Sequence, residues 1–487
     1  MYLKNIDKQL VEKLGKLPVS YWDFLGEDTK DLTHGIHNYP AMMIYPISRN
    51  IIRIMKQFQP NIKTFMDPYT GSGTCLVEAI LADMDTVYGT DLNPLARLIS
   101  NVKTKHLHHK DIKKEVEKLE KNINKSYEHY KILLTDINGY ILGKGLDVTA
   151  KATDKENWGF KAPEILKEFV TLCGLELEIP DFVNLGFWFL PHVVLELQII
   201  KDCIIKVENE DVRNFFWVAF SEMTRLVSNR RNSEFKMYRM EAQKVLKFNP
   251  NPKKEFFDIL ERNVAKMKDF YDKCDEREKD AEVHIFDNDT RYLQDVPDNC
   301  VDLVVTSPPY GDSRTTVAYG EFSRVSLQWA NLEDLSDKEI KGIDKSLMGG
   351  TKFKEYEFDL HSNTLKESLE KIKNYPQGDK NKNVERAGDV YSFYKDLQDC
   401  IGSITKKCKV NSYQFWVVGN RTVKEENLKT SEILVEMGEK FGLKHVYTMG
   451  RNIPNKVMPL ANSPSNEAGK TVTTMCNEHI VVLRKER

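Results

Sequence analysis

An apolar run, Val301-Asp302-Leu303-Val304-Val305, leads directly into Thr306-Ser307-Pro308-Pro309-Tyr310, and the residue types of that corner suit the holding of a planar amine. Proline fixes its own φ, restricts the residue before it and lacks a donor, so the carbonyls of Ser307 and Pro308 are held without helical pairing. The lone pair of an exocyclic amino group is delocalised into its ring, and hydrogen bonds that draw on the amine protons make the nitrogen more nucleophilic. The Ser307 hydroxyl and the Pro308 carbonyl would accept those protons, and Pro309 would stiffen the corner. Tyr310 would stack on the base, a contact worth about 1–3 kcal/mol. A plain strand-terminating turn carries the same proline signature, so a second constellation has to decide between the two.

That constellation is Thr64-Phe65-Met66-Asp67-Pro68-Tyr69-Thr70-Gly71-Ser72-Gly73-Thr74, followed by the apolar-periodic stretch Cys75 to Leu81. The order reads as strand, glycine turn and helix, which lets a ligand approach backbone N–H groups closely. A second strand, Thr86 to Thr90, ends in Asp91, an acidic side chain placed for the two hydroxyls of a ribose. Capping the helix that begins near Pro94 is the competing role for Asp91. The turn lacks the Gly-x-Gly-x-x-Gly spacing of a pyrophosphate site and the Gly-Lys-Ser/Thr of a phosphate-cradling loop. A cofactor with a ribose and no phosphate fits, and S-adenosylmethionine is such a cofactor.

Asp67 to Thr74 and Thr306 to Tyr310 together resemble the DNA amino-methyltransferase family, which methylates cytosine N4 or adenine N6. Ser-Pro-Pro-Tyr is more similar to the cytosine-N4 branch, because Asp-Pro-Pro-Tyr or Asn-Pro-Pro-Tyr is commoner in the adenine branch. Tyr69 stands where phenylalanine is more usual. His34-Gly35-Ile36-His37-Asn38-Tyr39-Pro40-Ala41 through Pro46 resembles the family's N-terminal segment, which closes over the methionine part of the cofactor. Asp287 to Leu293 resembles the segment whose acidic residue contacts adenine, with Asp289 preferred and Asp287 next. The resemblance implies S-adenosylmethionine without a metal, bound by Asp67, Tyr69, Gly71, Gly73, Thr74, Asp91, Asp289, His37 and Pro40. For His37 a hydrogen bond within a turn is the alternative. It also implies a double-stranded DNA substrate whose target base is flipped out, at a cost of a few kcal/mol, and a catalytic corner of Ser307, Pro308, Pro309 and Tyr310. Protection of DNA against a partner endonuclease acting on the same site is the usual setting. Three other readings stay open: adenine-N6 methylation on the same scaffold, an RNA guanine-N2 methyltransferase, and a non-catalytic DNA-binding subunit.

To place these residues at one mouth, the chain has to build a sheet. Glu282 to Phe286, Tyr413 to Val418, His445 to Thr448 and His479 to Leu483 read as further strands, and Tyr391 to Lys407 and Thr430 to Phe441 as helices. The alternation predicts an α/β fold with a mostly parallel sheet covered on both faces. The resemblance implies the Rossmann-like, seven-stranded methyltransferase sheet with an antiparallel last strand. Ligands bind such sheets beyond the carboxyl ends of the strands, where Gly71, Asp91, Asp289 and Ser307 all fall. Residues 1–104 and 281–487 make up this catalytic core. Residues 105–280 are a large insertion, predicted to be mainly helical and assigned to target recognition; its first part, Lys110 to Tyr130, reads as a solvated helix. Lys341 to Arg386, with Gly349-Gly350 and Tyr375-Pro376, reads as a mobile excursion or a plain surface loop.

The formal net charge of −2 over 487 residues excludes a globally basic nucleic-acid binder, so DNA contact requires a local patch. From Arg225 to Lys247 seven basic residues stand against two acidic ones, with Asn229, Asn232, Phe235 and Tyr238 interleaved. Arg230, Arg231, Lys236 and Arg239 are the expected DNA contacts; a solvated helix with charged flanks is the alternative. The eight cysteines lack Cys-x-x-Cys spacing, so neither a zinc site nor a disulfide framework is indicated, and none follows a proline as the nucleophile of a carbon-5 cytosine methyltransferase would. There is no secretory signal, and the apolar stretch Phe187 to Ile200 is broken by Pro191, His192, Glu196 and Gln198. A reduced, soluble, cytoplasmic setting is expected.

Overall fold

The structure is a computed structural model that describes residues 2–231, 234–277, 279–312, 317–353, 355–453, 461–462, 472–473 and 477–487. Its main sheet contains β1 (Thr64–Asp67), β2 (Thr86–Thr90), β3 (Glu282–Phe286), β4 (Val301–Thr306), β5 (Cys408–Gly419), β6 (Leu443–Asn452) and β7 (Asn477–Lys485). The spatial order is β3-β2-β1-β4-β5-β7-β6. The first five strands run parallel, and β7 is antiparallel to both β5 and β6. The order reverses between β1 and β4, so the crevice of this sheet lies at their carboxyl ends.

Helices α1 (Tyr2–Gly15), α2 (Tyr45–Phe58), α3 (Thr74–Leu81) and α4 (Pro94–Thr104) precede the insertion. The insertion contains α5 (His109–His129), α6 (Lys131–Gly143), α7 (Trp158–Leu172), α8 (Leu185–Trp188), α9 (Pro191–Ile205), α10 (Glu210–Leu226), α11 (Ala242–Lys247) and α12 (Pro252–Asp275). After β4 come α13 (Tyr319–Ala330), α14 (Asp337–Ser346), α15 (Asn363–Lys373) and α16 (Lys380–Lys407), and α17 (Thr430–Glu439) follows β5. Local signals explain several starts. Asn209 and Asn251 cap α10 and α12 through their side chains, and proline occupies the first turn of α2, α4, α9 and α12.

Side chains alternate across a strand, and the sheet uses both faces. Phe65, Leu303, Val305, Phe415, Val417, Ile480 and Val482 join one buried cluster with α2, α3, α4 and the insertion. Met66, Val304, Trp416, Val418, Val481 and Leu483 join another with α16 and α17. Helices α5 to α12 share their core with the sheet. Trp329 of α13 is fully buried among Phe182, Phe189 and Phe220 of the insertion, with ring centroids 5.6–6.4 Å apart.

The segment 341–386 differs from the expectation of an excursion. Its described residues include the end of α14, all of α15 and the start of α16. Leu365, Leu369 and Ile372 of α15 are buried in the second cluster, an i, i+4, i+7 spacing that marks one face of a helix. Lys and Glu between those positions hid the pattern.

Candidate cofactor and active site

The carboxyl end of β1 turns through Thr70-Gly71-Ser72-Gly73 into α3. Gly71 (φ +51°) and Gly73 (φ +82°) are left-handed, and a Cβ on Gly73 would stand 3.0 Å from Ser100 Cα. Glycine there lets α4 lie against the turn. Asp67, buried at the end of β1, accepts hydrogen bonds from Thr306 Oγ1 at 2.6 Å and from Tyr69 N at 3.1 Å. The last residue of β4 before Ser307 is thereby bonded to the last residue of β1 before the glycine turn. Burial pushes the Asp67 carboxyl up to about 6 against the pull of those bonds.

Asp91 accepts from Gly71 N at 3.0 Å with one oxygen and from Asn93 N at 2.8 Å with the other, and loss of solvent pushes its carboxyl up to about 6. The cap of α4 is Asn93, whose Oδ1 accepts from Leu95 N at 3.1 Å. Its amide also donates to Tyr39 Oη at 3.0 Å and Ser323 Oγ at 2.7 Å. The competing role for Asp91 thus belongs to its neighbour, and Asn93-Pro94 was the available signal.

A single cavity of about 930 Å³, counted with its open mouth, is lined by Pro40, Asp67, Tyr69, Gly71, Thr74, Asp91, Asp289, Ser307 and Pro309. The two distant motifs therefore share one cleft. Asp289 is held by Arg291, whose Nε lies 2.9 Å from each carboxylate oxygen and whose Nη1 reaches Asp396 at 3.1 Å. Asp287 turns instead to Arg97 on α4, at 2.8 Å. Gly73 acts behind the wall through its packing on Ser100.

His37 is placed differently from the expectation. It is buried beside a neighbouring cavity with Arg225 and Phe322, outside the wall of the first. Burial, reinforced by the Arg225 charge, pushes its imidazole well below the usual range and keeps it neutral. The preceding histidine anchors the segment: His34 Nε2 lies 2.7 Å from Glu78 of α3, which also receives Arg49 Nε at 2.7 Å.

At the proline corner Ser307 Oγ donates to Tyr310 Oη at 3.3 Å, and Tyr310 Oη donates to Glu478 Oε1 at 2.8 Å. The other oxygen of Glu478 receives Arg451 Nη1 at 2.5 Å. Pro308 is buried and Tyr310 half-buried; Ser307 and Pro309 form the wall. Glu478 on β7 and Arg451 on β6 were missed by sequence reasoning, because nothing near either residue marks it and only strand order brings them to the corner.

The expected DNA contacts divide into two kinds. Arg230 and Arg239 face each other across an isolated bridge at the base of a short excursion. Arg230 is 5% exposed and donates to the carbonyls of Arg225, Arg231 and Glu234, at 2.9–3.2 Å. Arg239 donates to the carbonyls of Val148, Thr149 and Ala150, at 2.8–3.0 Å, and lies over the Phe187 ring. These two guanidinium groups are engaged with backbone carbonyls of the protein itself. Arg231, Phe235 and Tyr238 are exposed and Lys236 is half-buried. Asn229 is buried, and Asn232 lies outside the described residues.

Against known proteins, the chain is 36% identical over 496 residues to the "Type II methyltransferase M.MvaI" of Kocuria varians, covering 99% of this chain and 98% of that protein. No family model matches the chain. No helix among the described residues is long and apolar enough to cross a membrane.

Proposed function

The chain belongs to the DNA methyltransferase family, and on that premise we propose that it methylates the exocyclic N4 amine of a cytosine flipped out of duplex DNA, using S-adenosylmethionine. One observation carries the reading: a single cavity is lined both by Gly71 of the glycine turn and Asp91 and by Ser307 and Pro309 of the proline corner, and Thr306 is bonded to Asp67 where the two strands end.

The wall fits the cofactor. A carboxylate offers about four acceptor sites; Gly71 N and Asn93 N take one on each oxygen of Asp91. The remaining sites suit the two hydroxyls of a ribose. When bound, S-adenosylmethionine supplies an electrophilic methyl group on a positively charged sulfur.

Ser307 is prepared as an acceptor. Its proton points along the chain to Tyr310 and Glu478, so the lone pairs of its oxygen are left for the amine of a base. The same bond to Glu478 fixes the Tyr310 ring, which would stack on the flipped base. Correct placement of amine and methyl group can supply about 7–11 kcal/mol of the acceleration. Arg231 and Lys236 are the phosphate contacts of the excursion. Serine in the corner favours cytosine N4 over adenine N6, and the type II name of the relative supports a modification enzyme acting beside an endonuclease.

The test is to incubate duplex DNA with the protein and labelled cofactor, digest it to nucleosides and identify the product by mass spectrometry. N4-methyldeoxycytidine is expected. N6-methyldeoxyadenosine would move the protein to the other branch, and absence of any methylated nucleoside would defeat the reading.

A further inference from the structure

Lys103 on α4 is fully buried, and its ammonium reaches Ser72 Oγ at 3.1 Å and Met42 Sδ at 4.0 Å. Neither partner carries charge. Glu78, the acidic residue of α3, is already held by His34 and Arg49. Burial alone pushes the ammonium down to about 7, with no carboxylate among the described residues to restore it. A buried charge with no charged partner is costly, so an anion brought beside this ammonium would be stabilised by it.

The position says which anion. Ser100, one turn before Lys103, donates to Gly71 O at 2.8 Å, so this face of α4 runs along the glycine turn. Ser72, Met42 and Met43 line the cavity. Asp91 takes the ribose and Ser307 faces the methyl group, which leaves the wall of Ser72, Met42 and Met43 for the amino-acid tail. We propose that Lys103, together with Ser72, is the counter-ion site for the carboxylate of the cofactor's methionine tail. This rests on the methyltransferase reading.

Calorimetry with S-adenosylhomocysteine, which has the tail, and 5′-methylthioadenosine, which lacks it, separates the possibilities. Lys103→Met should weaken S-adenosylhomocysteine by about tenfold or more, the scale of a hydrogen bond to a charged group, while 5′-methylthioadenosine binds within about twofold of wild type. Equal loss for both ligands, or for neither, overturns the proposal. Should Lys103→Met not fold, wild-type protein is titrated with the carboxamide of S-adenosylhomocysteine, which should bind about tenfold more weakly than the carboxylate; equal affinity overturns the proposal. Wild type that binds neither nucleoside would overturn the cofactor reading itself, and this site with it.

Discussion

At the scale of single residues, the direction of hydrogen bonds decides chemistry. Tyr310 donates to Glu478 and Ser307 donates to Tyr310, so the serine oxygen is an acceptor before any base arrives. Ser307→Ala should lower the single-turnover methylation rate about 10²- to 10³-fold, the range for removing one preorganised hydrogen-bonding group, with S-adenosylhomocysteine affinity unchanged in a binding titration. Asp91 makes a prediction about pH. Its carboxyl sits at about 6, and ribose hydroxyls donate to the ionised form, so binding favours loss of the proton. Affinity for 5′-methylthioadenosine should hold above about pH 7 and fall as the pH drops through 6. Asp91→Asn should flatten that profile; a wild-type profile without the fall would remove Asp91 from the ribose site.

At the scale of elements, the 230–239 excursion separates anchors from tips. Arg230 satisfies three backbone carbonyls within the protein, and Arg230→Met would leave them without their charged donor. Denaturant unfolding should show a loss of roughly 2–3 kcal/mol. The double change Arg231→Ala with Lys236→Ala should leave stability within about 0.5 kcal/mol. It should also reduce the slope of log affinity for DNA against log salt by about 2, as two phosphate contacts are lost. An unchanged slope would place DNA elsewhere on the molecule. The basic composition of this stretch was plain in the sequence. The division of labour was not, because it depends on which side chains the fold turns inward to unpaired carbonyls.

At the scale of the whole molecule, one hydrophobic cluster runs from the sheet through α2, α3, α4 and α13 into the helices of the insertion. The insertion and the catalytic core should therefore unfold in one transition. Trp329→Ala, which empties a site bounded by Phe182, Phe189 and Phe220, should cost about 3–5 kcal/mol. It should lower the melting temperature seen by circular dichroism and by loss of cofactor binding together. Two separate transitions would show that the shared core does not couple them.

The sequence by itself determined the strand, glycine-turn and helix order, the acidic tip at Asp91 and the Ser-Pro-Pro-Tyr corner. These follow from backbone chemistry and from the alternation of apolar residues, both of which act over a few neighbouring positions. Only the tertiary structure decided that Asn93 caps α4, that His37 lies outside the cavity the two motifs share, that α15 packs into the core, and that Glu478, Arg451 and Lys103 approach the site. Each of those depends on which groups lose water together when distant segments meet, and the cost of burying a charge or a polar atom is set by partners far away along the chain.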